Sequence, residues 1–387
     1  MLKYLKYYFS TLLIISAIYI PAIGVNYPTY YFIGFSLLII LGDYFLGEDV
    51  STNKYKYPFL INLPIYMNFF FLLLFISMTV FILGECSPNW FIHIFDNYLY
   101  IDILTIKESI TILDKISLIA STSLYIGIIG TVPGHELTHR KRNKLDMSIG
   151  NWLLSFSWDC AFAIEHVYGH HKNVGLTSDP ATARRGENIY TFAIKASIKE
   201  HLDAWKIELK HLKRRKKLSF GIHNRMLIGY LKSLSITLIS YLIGGFVGML
   251  FYLLCAFIAK LLLEVINYTE HYGLVREPDK PVFPHHSWNS NHTLSSLLLY
   301  NVTRHSAHHE KSNLKFWELQ PYNNAPMMPF GYLSMLYIAI FFPFIYHRIM
   351  AKKLIEWDNN YATPGEKIIA LAQNKMSGVS SLIKESK

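Results

Sequence analysis

The stretch FLINLPIYMNFFFLLLFISMTVFIL, residues 59–83, decides the fold class because it contains no charged residue. A helix needs roughly 20 mostly apolar residues to cross the hydrocarbon core of a membrane. This run is long enough, and a surface exposed to water could not hide it. Of the chain's 387 residues, 52% are hydrophobic and only 17% are charged, against about 25% charged in soluble domains. The composition therefore excludes an ordinary soluble enzyme and favours an integral membrane protein.

Further apolar runs predict an all-α integral membrane protein that forms a single domain over residues 1–387. We expect about six transmembrane helices, at about 7–24, 30–46, 59–83, 116–133, 226–245 and 247–267. The last two together are far too long for one span. A seventh run, 330–349, is interrupted by Pro343, and we expect it to lie against the bundle or in the interface. The first run resembles a signal peptide, but no clear cleavage site follows, so we expect it to be retained.

Basic residues predict the orientation, because cytoplasmic loops of membrane proteins are enriched in lysine and arginine. Segment 134–225 carries basic clusters near both ends, whereas 84–115 carries only Lys107 and Lys115. We therefore expect segments 134–225 and 268–329 to form a catalytic region on the cytoplasmic side. The net charge of +10 then reflects topology and anionic lipid headgroups. No motif that reads nucleic acid is visible, so we expect no nucleic-acid partner.

Histidines are the strongest chemical signal in the sequence. Nine of the seventeen fall in four tight groups: His135 and His139; His166, His170 and His171; His271; and His305, His308 and His309. Residues three or four apart share a helix face, which predicts pairing of His135 with His139, of His166 with His170, and of His305 with His308 or His309. Adjacent histidines on a helix point about 100° apart, so one such pair can serve two metal ions.

Nine imidazoles exceed the four to six ligands of one ion, which favours two ions. Imidazole suits iron, copper, zinc and nickel, and iron with open positions for oxygen suits the oxidation of an apolar membrane substrate. His135-Glu136-x-x-His139 also matches a zinc-protease pattern, with Glu136 as general base. That alternative leaves seven grouped histidines without a role. A metal transporter is a further alternative, but its histidines would be spread along a transmembrane path.

Several other residues are candidates for supporting roles. Metal-bound imidazoles usually donate their second N–H to a carboxylate or carbonyl, which points to four carboxylates near the ligands: Glu270, Asp179, Glu136 and Glu165. Surface or helix-capping roles remain the alternative for each of them. His285, His286 and His292 are candidates for the same outer contacts. Phe35 and Leu38 of the second span are candidates, by position alone, for lining a substrate tunnel.

The histidine motifs resemble those of the integral-membrane alkane hydroxylases, the AlkB-type alkane 1-monooxygenases, in the superfamily of membrane fatty-acid desaturases and hydroxylases. The resemblance extends to motifs beyond the ligands, namely DPATAR at 179–184, GENIY at 186–190, NYTEHYG at 267–273, HHSWNSNH at 285–292 and RHSAHH at 304–309. It covers the chain from about the second span to residue 358. Val167 and Tyr168 stand where that family often has Asn-Arg.

The C-terminal part is more similar to the membrane subunit of xylene monooxygenase, which hydroxylates a methyl group on an aromatic ring. The similarity lies in FWELQP at 316–321, APMMP at 325–329 and the segment 357–366. A methylarene hydroxylase is therefore an alternative to an alkane hydroxylase, and a fatty-acyl hydroxylase or desaturase is another.

The resemblance implies two non-haem iron ions held by the nine grouped histidines. It also implies that O2 is used to convert the terminal methyl of an alkane to a 1-alkanol, in a bacterial inner membrane. Electrons would come from a separate rubredoxin or ferredoxin-type protein with its reductase. The three cysteines, Cys86, Cys160 and Cys255, contain no CxxC pair, which agrees with a separate donor. Arg184 and Arg185, with the basic run 213–217, are candidates for docking an acidic donor.

Overall fold

The computed structural model describes residues 2–322 and 324–386, and their regular structure is entirely helical. Two isolated β-bridges occur, Glu48 with His292 and Asn289 with Met327, but no strand forms in these described residues. The predicted all-α class is confirmed. The chain divides into two compact units: unit 1 comprises Met1–Leu38, Tyr55–Cys160 and Phe220–Lys260, and unit 2 comprises Ile39–Lys54, Ala161–Ser219 and Leu261–Lys387.

Five helices are long and apolar enough to cross a membrane by length and composition, as expected for a multi-pass protein: Lys3–Ile23, Tyr27–Phe45, Pro58–Leu83, Ile112–Thr138 and Arg225–His271. The last is a run of 47 residues with non-helical backbone at Gly245, where φ is 72° and ψ is −164°. The predicted fifth and sixth spans lie on either side of this interruption. Whether the two arms cross separately, giving six spans, stays a prediction.

Unit 1 consists largely of the membrane-length helices and short elements between them. The Tyr27–Phe45 and Arg225–His271 helices are divided between the two units. The other helical segments of unit 1 are Leu2–Leu5, Lys6–Tyr8, Phe9–Tyr19, Pro21–Ile23, Pro58–Leu83, Asn89–Ile94, Phe95–Leu99, Ile103–Ser109, Ile112–Tyr125, Ile126–Thr131, Val132–Thr138 and Lys144–Ser155. Thr111 and Asp114 form a capping box that fixes the start of one of them. The Asp114 carboxylate also accepts from the Thr29 hydroxyl at 2.6 Å, which ties this start to a second membrane-length helix.

Unit 2 carries most of the polar buried residues and the C-terminal helices. Its segments are Phe162–Glu165, His166–His170, His171–Asn173, Ile189–Arg214, Pro284–His286, Thr293–Leu298, His305–Glu310, Tyr332–Phe341, Pro343–Asn360, Pro364–Met376 and Ser380–Glu385. Asn188 caps the longest of these by accepting from the Tyr190 and Thr191 backbone amides. The apolar run 330–349 is broken at Pro343. Its first helix, Tyr332–Phe341, has ten residues and spans only about 15 Å, half of a hydrocarbon core.

A buried arginine connects several parts of unit 2. Arg185 donates to both carboxylate oxygens of Asp358 at 2.7 Å, to the Asn374 side chain at 2.8 Å and to the Gly273 carbonyl at 2.9 Å. A bidentate arginine–carboxylate pair of this kind is strong and directional. It fixes the Pro343–Asn360 and Pro364–Met376 helices to the segment that follows His271. Arg185 is therefore a structural residue, and of the two arginines considered for donor docking only Arg184 is exposed.

Candidate metal centre

Two of the grouped histidines lie in unit 1, at the end of the Ile112–Thr138 helical run. The Nε2 atoms of His135 and His139 are 3.1 Å apart. The four-residue spacing places both rings on one helix face, as the sequence predicts. His135 is buried and His139 is partly buried.

The other seven lie in unit 2, and a π-helical turn changes how one group of them pairs. Residues 166–170 form a π-helix, in which residues five apart lie on the same face. The Nε2 atoms of His166 and His171 are therefore 3.1 Å apart, whereas the α-helical spacing predicts that His166 pairs with His170. A Cβ at position 169 would meet a Glu165 carboxylate oxygen at 2.2 Å, so a larger residue there would displace the Glu165 side chain. No feature of the sequence alone indicated this wider turn.

The seven histidines of unit 2 form two clusters. His166, His171 and His308 form the three-histidine cluster, in which the ligand atoms lie within 4.8 Å of one another. The four-histidine cluster comprises His170, His271, His305 and His309, within the same limit. Both adjacent pairs are divided between the clusters, His170 from His171 and His308 from His309. This division is the arrangement that would let each pair serve two ions.

The geometry of the four-histidine cluster fits a metal ion. The Nε2 atom of His305 lies 3.1 Å from that of His271 and 3.0 Å from that of His309. Two imidazole nitrogens bound to one ion at about 2.1 Å lie roughly 3.0–3.4 Å apart. The Nε2 atom of His170 is buried and has no hydrogen-bond partner within residues 2–322 and 324–386. Converging nitrogens with an unsatisfied member are what a metal site requires.

Burial favours the neutral imidazole form that binds metals. Desolvation lowers the pKa of His308 to about 3 and the pKa of His309 well below its ordinary value. A neutral imidazole keeps a lone pair for an ion, so protons compete weakly at these positions near neutral pH.

Asp179 fixes the orientation of His170. Its carboxylate lies 3.0 Å from the Nδ1 atom of His170, which leaves Nε2 for the cluster, and it also accepts from the Thr182 hydroxyl at 2.6 Å. Burial opposes charge on both partners, but their attraction outweighs it. The pKa of His170 is raised and that of Asp179 is lowered. Such carboxylate–imidazole contacts are typical partners of metal-ligand histidines.

The other three predicted carboxylates have different surroundings. Glu270 is buried, and its Oε2 atom lies 3.3 Å from the Nε2 atom of His305. Glu136 forms an ion pair with Arg140 at 2.7 Å within unit 1. Glu165 is buried against Gly169, and desolvation raises its pKa to about 8. Of the four, Asp179 and Glu270 therefore lie next to histidines of the four-histidine cluster.

The backbone carbonyl of His286, which the sequence did not indicate, contacts a second histidine of the four-histidine cluster. The His271 Nδ1 atom lies 3.2 Å from the carbonyl oxygen of His286. The side chains of His285 and His286 belong to neither cluster and instead contact Glu366. His292 contacts the Ser290 hydroxyl at 3.0 Å. A backbone acceptor has no residue signature, so only the folded chain reveals it.

The two tunnel candidates differ in exposure. Phe35 is buried in unit 1 and stacks on Tyr125 with ring centroids 5.2 Å apart. Leu38 is 37% exposed. This exposure gives no support to Leu38 as a tunnel residue, whereas Phe35 is packed among the inner side chains of its unit.

Comparison with known proteins identifies the family. Residues 116–339, which include all nine grouped histidines, match the family model described as fatty acid desaturase. The chain belongs to the fatty acid desaturase family. Among curated members and relatives, it is 36% identical over 244 residues to alkane 1-monooxygenase 2 of Alcanivorax borkumensis, covering 62% of this chain and 63% of that protein. It is 35% identical to alkane 1-monooxygenase 1 of Pseudomonas aeruginosa, with coverages of 62% and 64%.

A third relative acts on a different class of compound. The chain is 36% identical over 253 residues to the xylene/toluene monooxygenase hydroxylase component XylM of Pseudomonas putida, covering 65% of this chain and 68% of that protein. The predicted resemblance to both groups of proteins is confirmed. The chain spans slightly less than two thirds of the length of the two alkane monooxygenases.

Proposed function

We propose that this desaturase-family protein is a membrane-bound, non-haem diiron monooxygenase that converts the terminal methyl group of an alkane to a 1-alkanol with O2. The observation that carries the proposal is the division of adjacent histidines between two clusters in unit 2. That arrangement provides ligands for two ions at once. The similarity to several alkane 1-monooxygenases, at 34–36% identity for three of them, supports the reaction.

We assign all nine grouped histidines as iron ligands. His170, His271, His305 and His309 would hold one ion, and His166, His171 and His308 would contribute to the other. His135 and His139 are proposed as further iron ligands, on the strength of their converging nitrogens and their place in the matched family region. An imidazole donor set with open positions suits iron that reacts with oxygen. When bound, the two irons would supply oxygen activation.

The protein's own contribution is to orient the ligands and the substrate. The Asp179 carboxylate and the His286 carbonyl each accept an N–H from a ligand ring, which holds its other nitrogen toward the cluster. Phe35 is proposed to line the apolar path of the substrate within its unit. Holding a terminal methyl at the reacting centre would set selectivity, because a correctly placed group reacts far faster than a free one.

The proposal includes partners and a location. A rubredoxin or ferredoxin-type protein with its reductase would supply electrons, since the three cysteines of this chain form no CxxC pair. The five apolar helices would place the protein in a bacterial inner membrane, where alkanes dissolve in lipid. The basic clusters near both ends of segment 134–225 support a cytoplasmic catalytic side.

A methylarene is the second candidate substrate. The alignment with XylM covers more of that relative, 68%, than the alignments with the alkane enzymes named above. A hydroxylase of this type would use the same metal centre and differ only in the apolar pocket. Product identity therefore separates the two candidates, and a desaturase would insert no oxygen at all.

The test is oxidation by whole cells that express the protein together with a rubredoxin and its reductase. Octane, hexadecane and p-xylene are supplied together under 18O2, and products are identified by mass spectrometry. Labelled 1-alkanol is the expected product. Labelled 4-methylbenzyl alcohol alone would identify a methylarene hydroxylase. An alkene, or no product from cells whose purified protein binds iron, would contradict the proposed reaction.

A further inference from the structure

His286 is held in one orientation by contacts to both nitrogens of its ring. Its Nδ1 atom accepts from the backbone amide of Phe283 at 2.9 Å. The proton of the neutral ring must therefore be on Nε2, which lies 2.7 Å from the Oε1 atom of Glu366. His286 consequently donates to Glu366, and both side chains are buried.

This arrangement differs from a metal site. His285, His286 and Glu366 bring their ligand atoms within 4.8 Å of one another, as a metal site would. A ligand nitrogen must have a free lone pair, but the Nε2 atom of His286 carries a proton and its Nδ1 atom accepts from a backbone amide. The cluster is therefore held together by hydrogen bonds.

The short turn that carries His286 contacts two of the three elements that carry the four-histidine cluster. The carbonyl of His286 faces the Nδ1 atom of His271 at 3.2 Å. The hydroxyl of Ser306, which lies between ligand residues, donates to the Pro284 carbonyl at 2.6 Å. A displacement of this turn would therefore move the acceptor that orients His271.

Glu366 connects this turn to the Pro364–Met376 helix. It lies in the first turn of the Pro364–Met376 helix and forms a capping box with Thr363. Its Oε2 atom accepts from the Thr363 amide at 2.9 Å, while Oε1 accepts from His286. Burial opposes ionisation, but the contacts with His285 and His286 outweigh it and lower the pKa of Glu366. The carboxylate is thus charged at neutral pH and accepts a strong hydrogen bond.

We propose that Glu366 is a positioning residue that acts through His286 to hold His271 in its metal-binding orientation. The Pro364–Met376 helix then supports the metal centre, although it lies beyond the matched region 116–339. The inference rests on the proposed function for the identity of the metal. It requires only that the four-histidine cluster binds a metal ion.

The experiment measures metal retention by purified full-length protein. Wild type, Glu366→Ala and Glu366→Gln are dialysed against increasing concentrations of a chelator, and the retained metals are quantified by mass spectrometry. We expect Glu366→Ala to bind one of its ions more weakly, by up to the roughly 10–100-fold that the loss of a direct outer contact of a metal ligand costs. Glu366→Gln keeps an acceptor for His286, so its loss should be smaller. Turnover should fall in the same order at unchanged KM.

Two variants separate positioning from general destabilisation. Thr363→Val removes the hydroxyl that accepts from the Glu366 amide at 3.2 Å but leaves the Glu366–His286 contact. Glu356→Gln removes an exposed charge that pairs with Lys353 on the preceding helix. Both should retain metal as wild type does, even if Thr363→Val melts at a lower temperature.

Three results would overturn the inference. The first is equal metal loss in Thr363→Val and Glu366→Ala at matched melting temperatures. The second is full retention by Glu366→Ala, which would leave the proposed function intact. The third is wild-type protein that binds no metal at all, which would overturn the proposed function as well.

Discussion

The four-histidine cluster and the three-histidine cluster share the segments 166–171 and 305–309, and only the former adds His271, but they also differ in burial. All four members of the first are at most 7% exposed, whereas His171 of the second is partly exposed. The first also has two identified orienting contacts, the Asp179 carboxylate and the His286 carbonyl. The comparison indicates that neighbouring histidines in one sequence can enter two clusters that differ in burial and in orienting contacts. We expect the four-histidine cluster to hold its ion more tightly.

The largest effect should come from removing one proposed ligand of the four-histidine cluster. His271→Ala should lower turnover by more than about 100-fold, since the loss of an outer partner alone costs roughly 10–100-fold. It should also remove about half of the bound iron, measured by mass spectrometry of the purified protein. His211→Ala, at an exposed position on the Ile189–Arg214 helix, is the control and should behave as wild type. Full activity in His271→Ala would contradict the ligand assignment.

Two adjacent substitutions would show whether the clusters are separate sites. His308→Ala and His309→Ala each change one imidazole, but the structure places them in different clusters. Each variant should lose more than about 100-fold in turnover, because the loss of an outer partner of a ligand alone costs roughly 10–100-fold. In protein enriched with 57Fe, Mössbauer spectra should lack a different iron component in each variant. Loss of the same component from both would show that the division into two sites is wrong.

A smaller effect is expected from an orienting contact. Asp179→Asn weakens the acceptor of His170 and should lower iron affinity or turnover by about 10–100-fold. Iron retention during dialysis against a chelator measures the affinity. Asp203→Asn, a change at a partly exposed residue paired with Lys206, is the matched control. Identical iron retention in the two variants would mean that Asp179 has no orienting role.

The smallest effect on the metal centre is expected from a change in the backbone of unit 2, at a glycine that belongs to neither cluster. Gly186 has φ +78°, and a Cβ would meet the carbonyl oxygen of Ser377 at 1.8 Å. Gly186→Ala should lower the free energy of unfolding by about 2–4 kcal/mol through backbone strain and overpacking. Thermal unfolding in detergent measures the change, with Gly34→Ala as control because no atom lies within 4 Å of its Cβ position. Equal stability of the two variants would contradict the expected strain and clash at position 186.

The sequence predicts the helical class and the places where the ligands gather, because both depend on local composition and spacing. Apolar runs of membrane length need no tertiary information, and four histidine groups are visible as motifs. The pairing of His166 with His171 was not predictable, since it depends on a π-helical turn rather than on the α-helical period. The roles of Arg185 and Glu366 also need the fold, because their partners lie up to 189 positions away in sequence.

The measurement that tests the central claim most directly is metal analysis combined with iron X-ray absorption on the purified wild-type protein. The proposed dinuclear centre predicts about two irons per chain. Each iron should have mostly nitrogen neighbours at about 2.1 Å, the usual metal–imidazole distance. One metal ion per chain, or zinc in place of iron, would contradict a diiron centre built from the two clusters.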